Sequence, residues 1–119
     1  MKIAVAVSDN KVGGPGESQY VYIYDVKDGN ADLLEKYENP AMHAYRAKGL
    51  QMLASAISRG VDAIILSELG RPGYSYLKDR IKVYITPEVE VERAIKDVIN
   101  GRIPVATAPT HEHGMHEHQ

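Results

Sequence analysis

The sequence predicts an α/β fold: a mixed five-stranded sheet, in the order 3-2-1-4-5, with flanking helices. Three observations predict it. Ile3-Ala4-Val5-Ala6-Val7 is a near-continuous apolar run, the pattern of a strand buried on both faces and therefore central in its sheet. Lys27-Asp28-Gly29-Asn30 carries the Asp-Gly signal of a tight hairpin between two strand-like runs. After residue 39, helical spacing alternates with short apolar runs, as in parallel strands joined by right-handed crossovers.

The elements follow in order. Ser8 to Ser18 holds Gly13, Gly14, Pro15 and Gly16, too many breakers for a regular element, and reads as a flexible loop after the first strand. Tyr20 to Val26 and Ala31 to Glu38 form the hairpin strands. Asn39-Pro40 supplies a cap and a first-turn proline, and Ala47, Leu50, Leu53, Ala54 and Ile57 continue one long amphipathic helix that Gly60 closes. Asp62 to Leu66 is the fourth strand, followed by a short helical stretch around Tyr76-Leu77-Lys78 and a fifth strand, Ile81 to Ile85. Thr86-Pro87-Glu88 opens a last helix with an apolar stripe of Val91, Ile95, Val98 and Ile99. Residues 1–108 thus form one α/β domain, and 109–119 a flexible His-rich tail.

Composition excludes several function classes. A chain of 119 residues with 44% hydrophobic content supports one core. The net charge of -2 supplies no cationic field for nucleic acid or anionic lipid. Cysteine is absent, so disulfides, thiolate-bound zinc and cysteine nucleophiles are all excluded. An iron–sulfur species would have to be held without a protein thiolate, which fits transient carriage better than a built-in cluster. No apolar run reaches membrane-spanning length, so the expected location is the cytoplasm.

Four of the five histidines, His111, His113, His116 and His118, fall in the last ten residues, interleaved with Glu112, Glu117 and Met115. Imidazole is the commonest side-chain ligand for borderline metals, so the tail reads as a metal-binding segment that would take Ni or Zn. Gly70 and Arg71 stand at a helix entrance beyond the fourth strand, where backbone N–H groups and a guanidinium can meet an anion. His43 is the one histidine of the folded body. Asp9 and Glu68 end neighbouring strands and would suit Mg²⁺-dependent phosphoester hydrolysis, in a nuclease or phosphatase. The tyrosines replace the missing Phe and Trp in packing, and a tyrosine-rich outer strand offers an edge for a homodimer.

The order of these features resembles a known family. The opening Met1-Lys2-Ile3-Ala4-Val5-Ala6, the strand Tyr22-Ile23-Tyr24-Asp25-Val26, Glu38-Asn39-Pro40 with His43 close behind, Gly60-Val61-Asp62, Leu69-Gly70-Arg71, Ile81-Lys82-Val83-Tyr84 and the His-rich end carry the resemblance. It is to the dinitrogenase iron-molybdenum cofactor biosynthesis family, the NifX-like proteins and NifB carboxyl-terminal domains. The resemblance implies a ribonuclease-H-like fold and non-enzymatic binding or carriage of an iron-molybdenum-cofactor-type iron–sulfur cluster or its precursor. It also implies a cluster-donating or cluster-accepting protein partner, and roles for His43, Gly70 and Arg71 as cofactor-binding residues. In one departure, a His-Phe-Gly-Arg-Ala-like segment common in the family is replaced here by Gly14-Pro15-Gly16-Glu17-Ser18-Gln19.

Overall fold

The computed structural model describes residues 1–112. Strand β1 (Lys2–Ser8) runs through the middle of a six-stranded mixed sheet. A short β2 (Lys11–Val12) turns straight back and pairs with the end of β1. On one side β3 (Tyr20–Lys27) lies antiparallel to β1 and β4 (Asn30–Glu38) antiparallel to β3. On the other side β5 (Ala63–Leu66) and β6 (Lys82–Ile85) run parallel, giving the order β4-β3-β1-β5-β6.

Side chains alternate across β1 and divide the core into two layers. Ala4 and Ala6 face Met52, Leu53 and Ala56 of helix α1 (Lys48–Ile57) and Leu77 of helix α2 (Arg71–Leu77). Ile3, Val5 and Val7 face Val91, Ala94, Ile95 and Val98 of helix α3 (Val91–Ile99). The side with small β1 residues carries two helices and the side with larger ones carries a single helix.

Four local expectations are corrected. The expected loop Ser8 to Ser18 contains β2, because Asp9 and Asn10 take φ of 52° and 65° and make a two-residue turn of the kind that suits hairpin twist. The long helix from Asn39 is broken. Asn39 does cap, accepting from the Ala41 N–H at 3.0 Å, but the result is a 3-10 turn, Pro40–His43. The chain then leaves helical geometry until Lys48, with Ala47 left-handed at φ 53°. A Cβ at Gly49 would lie 3.5 Å from Pro15 Cγ, so α1 starts close against the facing loop, nine residues after the Asn39 cap. Helix α3 begins at Val91, five residues after the expected cap at Thr86, because the Val91 N–H donates to Asn10 O at 3.1 Å and ties the helix start to the β1–β2 turn. Finally, the tyrosine-rich β3 is paired on both sides and has no free edge; the edge on that side is β4, which is charged and bulged opposite Ile23 and Tyr24. Among the described residues no helix is long and apolar enough to cross a membrane.

Candidate functional site

A cleft of about 740 Å³ opens between three stretches of chain: Pro15, Gly16 and Glu17; Tyr45 to Leu50; and Glu68 to Gly73. Its volume lies within the range of small-molecule and cofactor sites. The third stretch follows β5, so the cleft sits at the carboxyl end of a parallel strand next to β1, the expected place in an open sheet.

Asn39 builds the first wall. Fully buried, it donates from Nδ2 to the carbonyls of Pro15 and Ser18, both at 2.9 Å, while its Oδ1 accepts from Ala41. Its backbone N–H donates to Gln19 O at 2.8 Å. One amide thus clamps the Gly-rich loop to the chain leading into the second wall. That second wall presents Tyr45, fully exposed, with Arg46 and Lys48 beside it.

Glu17 and Glu68 meet above Gly14. A Cβ placed on Gly14 would stand 2.7 Å from Glu68 Oε2 and 2.8 Å from Glu17 Oε1. Burial, a hydrogen bond with Glu17 and the negative charges of Glu17 and Glu88 push the Glu68 carboxyl up to about 7. Near neutrality Glu68 is therefore protonated for part of the time, which lowers the repulsion the carboxyl pair would exert on an anionic guest.

The sequence-selected residues are only partly brought together. Gly70 and His111 line the cleft. Arg71 lies next to Gly70 in the chain, and its Nε and Nη2 donate to Glu112 at 2.6 and 2.9 Å. His43 is exposed outside the cleft lining, with Nε2 3.0 Å from Glu38 Oε1, although two residues on the chain reaches Tyr45. Asp9 is not in the cleft, and the acidic neighbour of Glu68 is Glu17. His113, His116 and His118 lie outside the described residues. Among the described residues no group of three His, Asp or Glu side chains is placed to hold a metal ion.

Thr110 joins the chain after Pro109 to the cleft rim. The Thr110 N–H donates to Leu69 O at 2.8 Å and the Leu69 N–H donates to Thr110 Oγ1 at 2.9 Å. Sequence reasoning also missed Glu17, Tyr45, Arg46 and Lys48. The cluster of Tyr-Arg-Ala-Lys beside a helix start is visible in the chain, but it reads as helix surface until the break at Ala47 is known.

Comparison with known proteins agrees with this architecture. The family described as dinitrogenase iron-molybdenum cofactor matches residues 1–101. An uncharacterized protein of Methanocaldococcus jannaschii is 27% identical over 105 residues, which cover 87% of this chain and 89% of the relative. The apo form of the orange protein from Desulfovibrio gigas has the same fold, with a TM-score of 0.77 at 21% identity over 91% of this chain and 94% of that one. A candidate NifB protein of the DUF35 family from Thermotoga aligns with a TM-score of 0.67 at 27% identity, covering 94% of this chain and 98% of its own.

Proposed function

The chain belongs to the dinitrogenase iron-molybdenum cofactor family, and on that premise we propose that it binds and carries an iron-molybdenum-cofactor-type iron–sulfur cluster, or its precursor, without catalysing a reaction. The cleft is the observation that carries this reading. It has the volume for a compact inorganic guest, walls that mix Leu50, Leu53, Leu69 and two prolines with Arg46 and Lys48, and an acidic pair that is partly protonated near neutrality. The chain has no cysteine, so the guest is held by charge, packing and imidazole, and can be passed on. Arg71 and the Gly70 N–H meet negative charge on the cluster. His43 and the tail histidines His111, His113, His116 and His118 ligate exposed metal. The tail would accept Ni or Zn by the same chemistry.

The mixed sheet with helices on both faces supports the ribonuclease-H-like class as part of this proposal. A carrier also needs a protein that donates or accepts the cluster, and the cytoplasm is the proposed site of that exchange.

The test is an anaerobic titration of the protein with isolated iron-molybdenum cofactor, followed by visible absorption, for the full chain, a chain lacking residues 110–119 and a His43→Ala variant. Stoichiometric binding by the shortened chain places the site in the folded body, with His43→Ala weakening it. Metal uptake that depends wholly on the tail, with no binding to the body, would sink the carrier reading.

A further inference from the structure

Residues 110–112 lie beyond the family match, which ends at residue 101, yet they make an organised contact with the cleft rim. Thr110 exchanges backbone and hydroxyl hydrogen bonds with Leu69, and the bridge continues in parallel from Gly70 to His111. Glu112 then places both carboxylate oxygens on the guanidinium of Arg71, in the bidentate arrangement that Arg favours for anions. His111 is carried into the cleft, where Nδ1 lies 3.9 Å from Glu68 Oε1 and 2.8 Å from Thr110 Oγ1. Three consecutive residues thereby cover the rim, occupy part of the cleft and neutralise Arg71.

The energetics make this contact reversible. The ion pair is open to water, with both side chains more than half exposed, and exposed pairs stabilise weakly. A few partly solvated hydrogen bonds are offset by the entropy of ordering a chain end. Closed and open forms are therefore close in free energy, and a ligand that binds only one of them shifts the balance.

We infer that residues 110–112 are an autoinhibitory strap: Glu112 stands in for ligand charge on Arg71, and an anionic guest opens the strap by taking that guanidinium. Opening frees His111 from its place beside Glu68. This inference rests on the carrier reading for the identity of the guest, but not for the strap contact itself.

The experiment compares the full-length wild type with Glu112→Gln and Thr110→Val. Amide hydrogen exchange at Leu69 and Thr110 is measured without ligand, and affinity for isolated iron-molybdenum cofactor is measured anaerobically. Both variants exchange faster at these amides, and Glu112→Gln binds cofactor roughly two- to tenfold more tightly, because less of the protein starts in the closed form. Unchanged exchange in Glu112→Gln overturns the strap. Faster exchange with equal or weaker cofactor binding overturns the competition and makes Glu112 a ligand contact or a bystander. If no variant binds cofactor, the carrier reading fails, and the exchange rates alone decide whether the strap exists.

Discussion

Glu68 and Glu17 share the floor of the cleft as a hydrogen-bonded carboxyl pair, and burial together with the charge of Glu17 raises Glu68 to about 7. In the unfolded chain Glu68 titrates near 4.5, so between those values the folded protein holds a proton that the unfolded chain has lost. This contribution to stability is present below about 4.5 and is lost as pH rises toward about 7. One unit corresponds to about 1.4 kcal/mol. Solvent in the cleft reduces the total to roughly 1–2 kcal/mol. Glu68→Gln should remove this slope. Urea unfolding of both proteins from pH 4.5 to 8 checks it, and parallel curves would count against the pair.

Gly14 offers an independent way to separate the two carboxylates. A Cβ there meets the mobile ends of Glu17 and Glu68, at 2.8 and 2.7 Å, so the side chains can turn away at modest cost. Gly14→Ala should lower the Glu68 pKa while leaving the fold intact. Carboxyl-carbon NMR titration reads the shift directly. An unchanged midpoint would mean that burial, with little help from Glu17, raises it.

Asn39 makes a harsher prediction. Its amide satisfies two carbonyls and one N–H in a buried position, and among the described residues every buried side-chain N or O has a partner. Asn39→Ala leaves those three backbone groups without their partner, at a cost of about 2–4 kcal/mol. Asn39→Asp should be at least as damaging at neutral pH, since a carboxylate would face the carbonyls of Pro15 and Ser18. Chemical denaturation measures both, and a loss below about 0.5 kcal/mol would remove Asn39 from its place as the clamp of the cleft wall.

These residues also show what a chain discloses by itself. The apolar run of β1, the Asp28-Gly29 turn and the amphipathic stripe of α3 are local patterns with a fixed period, so each is visible before folding. Asn39 is legible as a cap, because capping acts on the next two residues. Its bonds to Pro15 and Ser18 span 24 and 21 positions and leave no periodic trace. The same is true of Glu17 meeting Glu68 and of Thr110 meeting Leu69. Ala44 to Ala47 mislead in the opposite direction, since Ala, Tyr and Arg all tolerate a helix, yet the chain leaves helical geometry there and Ala47 turns left-handed. Gly70 and Arg71 were readable as a helix entrance, but the capture of Arg71 by Glu112 was not.

Arg59 ties the edge strand to α1 and gives the last prediction. Its guanidinium lies 3.5 Å from the centroid of the Tyr37 ring, its Nε donates to both Glu35 oxygens at 3.2 Å, and its Nη1 donates to Ser55 O at 3.0 Å. Tyr37 and Ser55 are themselves joined, hydroxyl to hydroxyl, at 2.8 Å. An exposed ion pair alone would contribute little. Here the planar group also covers the ring and gains stacking energy of about 0.5–1 kcal/mol. Arg59→Ala should therefore destabilise the protein by roughly 1–2 kcal/mol, summing those contributions. Arg59→Lys should recover less than half of that, because an ammonium cannot stack and donate in a fork at once. Equal stability of the Lys variant and the wild type in urea would show that charge at this position matters and planarity does not.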